Sequence, residues 1–248
     1  MRALPITTVA AAALLAAVAL AAPAPAPAPA AAPAAGSITF LDGEATRQAG
    51  GKTVKLGTGA SIFQGDVIET ARRTRIELTL IDQSVLRLGP RSRVELDAAA
   101  FGQGADDRKV SAKLRVGNVW ANVTKALGGE ARFEVKTENA VAGVRGTTFR
   151  VDASKDKSCV VKVYSGTVAV AAGPLPRPQH GTAGSGAGAR QQVAGPREVT
   201  REQWERIVTS MMQVKVAANG SPAEPEAFAL AGADEWETWN RERDAVKK

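Results

Sequence analysis

Between residues 37 and 170 apolar side chains recur at every second position, in runs of only a few residues closed by Gly, Asp, Asn or Arg. Successive side chains of a strand point to opposite faces, so this period suits half-buried strands and not the 3.6-residue stripe of a helix. The stretch 75–81 is the clearest case, with Ile76, Leu78 and Leu80 on one face and Arg75, Glu77 and Thr79 on the other. Residues 85–88 and 93–96 follow after short turns, and further strands are expected at 113–116, 119–123, 131–137, 148–152, 160–164 and 167–171. A faint repeat runs through them, with Gly65, Gly117 and Gly166 separated by 52 and 49 residues. Each copy reads as strand, glycine turn, strand, because glycine adopts the positive φ of a tight reversal. The spacing fits a solenoid of stacked short strands, and it also fits glycine hairpins recurring in an ordinary β protein.

Composition removes much familiar chemistry. One His, one Cys, one Tyr and three Met leave little for a soft-metal site, a cysteine-pair redox centre or a histidine triad. No catalytic, cofactor-binding or metal-binding residue is assigned, and the scattered carboxylates single out no glycosidase pair. Cys159 has no partner for a disulfide within the chain and suits a buried strand position, while His180 falls in a Pro/Gly-rich stretch read as a flexible loop, residues 173–190.

Charge is uneven. Residues 36–200 carry 24 Lys/Arg against 16 Asp/Glu, and residues 201–248 carry 7 against 9. A basic body favours acidic partners without specifying one. Six arginines lie within residues 72–93, and alternation places Arg75, Arg87 and Arg93 on outer strand faces. There they form either a basic strip for the carboxylates or phosphates of a polyanionic cell-wall ligand, or a self-neutralised face with Glu77, Asp82 and Glu95. Nucleic acid is not an expected partner, because aromatic residues for stacking are few and no reading motif is present.

The ends differ from the body. Arg2, an apolar run to Ala22 and small residues at Ala19 and Ala21 form an export signal over residues 1–22, or alternatively a short inner-membrane anchor. That segment is the only expected membrane contact. Alternating Pro and Ala over residues 23–36 make an extended spacer. Beyond residue 200 the period shifts towards 3.6: a capping box at Thr200–Gln203 precedes Trp204, Ile207, Val208, Met211 and Val214, and residues 234–246 place Trp236, Trp239 and Arg243 near one another. A two-helix tail over 201–248 is expected. It either folds back over an open end of the β body or docks on a partner through Trp236 and Trp239.

Several motifs resemble the FecR domain family across roughly residues 60–200. They are Gly65-Asp66-Val67-Ile68-Glu69-Thr70, Gly117-Asn118-Val119-Trp120, and above all Val144-Arg145-Gly146-Thr147 with Phe149 and Val151, closed by Gly166 in the last copy. The tail's Trp239, Arg243 and Asp244 are similar to a Trp-x-x-x-Arg-Asp motif of some exported FecR-type proteins. The resemblance implies an all-β, solenoid-like periplasmic domain over residues 37–200 that binds other proteins in signalling and has no catalytic residues. Sigma-factor control is not implied, since the family's cytoplasmic segment has no counterpart before the export segment. Val144 to Thr147 reads as a tight corner in which Arg145 pairs with a carboxylate or with carbonyls and has a structural role. The expected protein is an exported, non-enzymatic binder of an envelope protein in cell-envelope signalling. The alternative is a structural protein that binds peptidoglycan or acidic polymers through its basic face. Oligomeric state is not encoded in any of these patterns.

Overall fold

The computed structural model describes residues 33–101, 108–125, 132–173, 205–232 and 234–246. The expected signal or anchor, most of the Pro/Ala spacer, the expected loop 173–190 beyond Gly173 with His180, and the expected capping box Thr200–Gln203 with Trp204 lie outside the described residues. Among those described, seventeen strands and one helix occur. In chain order the strands are β1 (Ala34–Asp42), β2 (Ala45–Ala49), β3 (Lys52–Lys55), β4 (Ser61–Phe63), β5 (Val67–Thr70), β6 (Arg75–Leu80), β7 (Val85–Leu88), β8 (Arg93–Ala100) and β9 (Lys109–Asn122). They continue as β10 (Arg132–Lys136), β11 (Ala140–Val144), β12 (Thr148–Ala153), β13 (Cys159–Ser165), β14 (Thr167–Ala172), β15 (Glu205–Thr209), β16 (Met212–Val216) and β17 (Glu226–Ala227), before helix α1 (Glu235–Val246).

The strands form one continuous open sheet that doubles into two layers. The first layer runs β4-β1-β6-β7-β9-β12-β13-β16-β17. The second runs β3-β2-β5-β8-β9-β10-β11-β14-β15. Strand β9 belongs to both: residues 109–116 pair in the second layer and 117–122 in the first. Two runs expected as separate strands, 113–116 and 119–123, are therefore one strand with a bend.

Alternation supplies the core between the layers. Ile76, Leu78 and Leu80 of β6, Leu86 and Leu88 of β7, Phe149 and Val151 of β12 and Val161 and Val163 of β13 join Leu114, Phe133, Val135 and Val168 in a single buried cluster. Each such side chain contributes about 1.5–3 kcal/mol by leaving water.

The repeat glycines sit at corners between layers and not, as expected, in hairpins. Gly65 lies between β4 and β5, and Gly166 between β13 and β14, and in each case the two strands pair with other strands and not with each other. Gly117 marks the bend of β9. There φ is +101°, and a Cβ would fall 2.3 Å from Ser92 Oγ and 2.5 Å from Ser92 Cα. Ser92 Oγ accepts from Asn118 N and donates to Asn118 O, which fixes the bend to the corner before β8.

The tail is the main departure. The stretch expected as its first helix contains β15 and β16 instead, with Met211 at φ 64° between them. β15 pairs with β14 and β16 with β13, so this segment too is split between layers. Val208, Val214 and Val216 point into the core. A period of two fits these positions as well as one of 3.6 did, and the open edges of β13 and β14 decide between them. One helix, α1, remains where the second was expected. It lies over the outer face of the first layer, not across an open end. The expected spacer also ends early, because β1 already includes Ala34 to Gly36.

Candidate partner-binding face

Outward positions of the first layer line up directly across strands. The register pairs Phe40 with Glu77, Glu77 with Arg87, Arg87 with Trp120, Trp120 with Arg150 and Arg150 with Lys162. One row thus crosses β1, β6, β7, β9, β12 and β13. Because side chains alternate, Glu77, Arg87, Trp120, Arg150 and Lys162 each stand opposite to the core residues on either side of them. A row holding two arginines, a lysine and a glutamate has no place in an apolar core, yet Arg87, Glu77 and Trp120 are no more than 1% exposed.

Helix α1 is what buries them. Asp234 caps it, its Oδ1 accepting from Glu237 N at 2.6 Å, and Glu235, Glu237 and Arg243 suit the charges of the helix ends. Its polar side chains then match the row residue by residue. Glu77 Oε2 takes Arg87 Nε at 2.7 Å and Arg243 Nε at 3.1 Å. Arg87 Nη1 meets Asp244 Oδ1 at 2.8 Å, and Trp120 Nε1 donates to the other Asp244 oxygen at 2.9 Å. Arg150 reaches Asp234 at 2.8 Å, Glu237 at 3.6 Å and Asp152 at 2.8 Å, and Lys162 reaches Glu237 at 3.4 Å. Trp239 packs on Phe40 and Trp236, with the guanidinium groups of Arg75, Arg87 and Arg243 within 6 Å of its ring. Such cation–π contacts add about 0.5–2 kcal/mol each, more when dry.

Electrostatics follow from this burial. Desolvation by itself would lower the Arg150 pKa, but Asp152 and Asp234 outweigh it and hold the value above the ordinary range. Burial works against the Asp234 carboxylate too, and the Glu237 N–H with the Arg150 charge overcomes it, so the group titrates lower than usual. Tyr164, packed on Trp120 with centroids 4.3 Å apart and the rings tilted by 33°, is kept protonated by burial and by the Glu237 charge.

The residues singled out from the sequence fall in different places. Arg87 is at the centre of the row with no exposed surface. Arg75 is half-buried at its rim, between Asp42 at 3.0 Å and Glu235 at 3.7 Å, beside a cleft of about 590 Å³ that Arg72, Arg73, Pro90 and Trp236 also line. Arg93 belongs to the second layer, where it pairs with Glu69. The three arginines therefore share no exposed strip. Trp236 and Trp239 face the sheet rather than solvent, Trp236 being 8% exposed.

The motif residues build corners and core. Asp66 is buried and its Oδ2 accepts from Phe63 N at 2.8 Å and Arg47 at 3.3 Å. Thr70 Oγ1 donates to Gly89 O and accepts from Ser92 N, closing the corner before β8. Val144 and Phe149 enter the core, Thr147 O accepts from Val123 N, and a Cβ on Gly166 would fall 2.6 Å from Thr147 Cγ2. Gly146 has φ 65° at the corner from β11 to β12, and Arg145 beside it is exposed. Cys159 is buried and free, its thiol pKa pushed up by desolvation. Sequence reasoning missed Phe40, Trp120, Arg150, Lys162, Glu237, Asp244 and Asn240, whose buried carbonyl oxygens accept from Arg87 Nη1, as members of the face. For Trp120, Arg150 and Lys162 the signal was available: charged or indole side chains at the outward phase of strands whose inward phase is apolar.

Among known proteins, residues 66–169 match the family model described as FecR protein. Two crystal structures of an anti-sigma factor candidate from Parabacteroides distasonis are similar at 18% identity with a TM-score of 0.45. The match covers 65% of this chain and 59% of that one, less than two thirds of its length. A cell surface anchoring domain is matched over 29% of this chain and 99% of that one, at 29% identity and a TM-score of 0.27. No curated protein matches.

Proposed function

We propose that this chain, whose residues 66–169 match the FecR protein family model, is an exported, non-enzymatic signalling protein that acts in the cell envelope by binding a protein partner. The observation that carries this reading is the seating of α1 on a row of charged and aromatic residues. The first layer's outer face is built to recognise a helix, with each carboxylate of the contact tied to a guanidinium, an ammonium or an indole. Interfaces that recognise proteins are rich in Arg and Trp, as this one is. Export is supported by the composition of residues 1–22, and among the described residues no helix is long and apolar enough to cross a membrane. The wall-binding alternative needs an exposed basic strip, and the pairing of Arg75, Arg87 and Arg93 with carboxylates takes that support away.

In-cell crosslinking of the tagged full-length protein, followed by fractionation and mass spectrometry, tests the proposal. A few recurrent envelope proteins are the expected product. Linkage chiefly to wall material, with no recurrent protein, would replace it with the structural binder.

A further inference from the structure

The contact between α1 and the first layer is of the kind that can open in water. Both of its sides are charged: Glu77, Arg87, Arg150 and Lys162 below, Asp234, Glu237, Arg243 and Asp244 above. Permanent interfaces resemble a core cut in half, whereas exchangeable ones are more polar. Without α1 the row would be a hydrated strip, and α1 would be a polar helix bearing two tryptophans.

Its fit is also incomplete. Arg87 Nη2 and Trp236 Nε1 are buried at this contact and have no hydrogen-bond partner among the described residues. A buried donor left unpaired costs about 1–3 kcal/mol; Trp236 belongs to α1 itself, and an occupant that brings an acceptor to Arg87 Nη2 would fit the row better. Charge says what kind. The sheet side sets Arg87, Arg150 and Lys162 against Glu77 and Asp152, a net excess of positive charge, and the contacting face of α1 answers with three carboxylates against Arg243.

We infer that α1 is a replaceable occupant of this face, and that a partner protein engages the chain there through an acidic helix with an aromatic anchor. The inference rests on the proposed binding function and names its site. Tethering holds α1 at an effective concentration in about the millimolar range, so the partner helix must bind the row more tightly than α1 does or meet a chain whose α1 has loosened.

A labelled synthetic peptide of residues 234–246 is the probe, titrated by fluorescence anisotropy into full-length proteins whose mass is followed by light scattering. Asp234→Ala with Glu237→Gln weakens the resident helix from its own side and leaves the row intact. This double variant should bind the peptide one to one as a monomer, at least about tenfold tighter than the unaltered protein, and adding Arg150→Glu should remove the gain. Equal binding by all three proteins would overturn the inference. So would a dimer of the double variant that excludes the peptide, since a second copy would then be the occupant. Circular dichroism checks folding, and Lys162→Glu replaces Arg150→Glu if the latter unfolds. Recurrent crosslinked partners together with failed peptide binding would leave the proposed function standing and remove this face from it.

Discussion

Gly117 and Gly65 both have positive φ, at +101° and +84°, yet their surroundings differ. A Cβ at Gly65 meets nothing within 4 Å, while one at Gly117 runs into Ser92. Gly65→Ala should therefore cost only the left-handed backbone penalty, about 1–2 kcal/mol. Gly117→Ala adds a steric clash at the bend of β9 and should cost about 2–4 kcal/mol. Urea denaturation of the two variants checks this, and equal losses would remove the clash from the account. Arginines divide in the same way. Arg87→Ala leaves Glu77 buried with one guanidinium fewer and should destabilise by about 3–5 kcal/mol, whereas Arg93→Ala, at an exposed pair, should stay within about 0.5 kcal/mol. Alternation told which way Arg87 points. It could not tell that a helix reaching it from Asn240, 153 residues later in the chain, covers it.

Among the elements, α1 depends most on charge. The Asp234 carboxylate titrates lower in the native protein than in the unfolded chain. Its contribution is therefore complete above the unfolded value of about 4 and is lost as pH falls through the lower native value. Tryptophan fluorescence should report loosening of α1 on acidification through that window, and Asp234→Asn should flatten the response. An unchanged acid transition in that variant would place the titrating group elsewhere. β15 and β16 teach a complementary lesson. Ile207, Val208, Met211 and Val214 fit a helical stripe, but strand edges at β13 and β14 offer backbone partners that an isolated helix of that length cannot match. By contrast β7 keeps the bounds read from the sequence, and β6 is shorter by one residue, because turns close each end.

For the whole molecule, the two ends of the tail do different work. Removing residues 234–248 should leave a folded β body with a lower melting temperature, since only the outer row is uncovered. Removing 205–248 also bares the edges of β13 and β14, and the product should aggregate. Sedimentation and thermal melts of the two truncations distinguish these outcomes, and a soluble, monomeric shorter chain would show that those edges need no cover. Alternation and glycine conformation are local properties, so the all-β class, the inward and outward phase of most strands, the turns at Gly65, Gly117 and Gly166 and the tight corner at Gly146 are legible in the sequence. Only the tertiary structure decided that the corners join two layers, that the outward residues of six strands fall into one row, and that α1 lies across it. Register and layer crossing depend on which strands meet, and those meetings are set by burial shared across the whole chain.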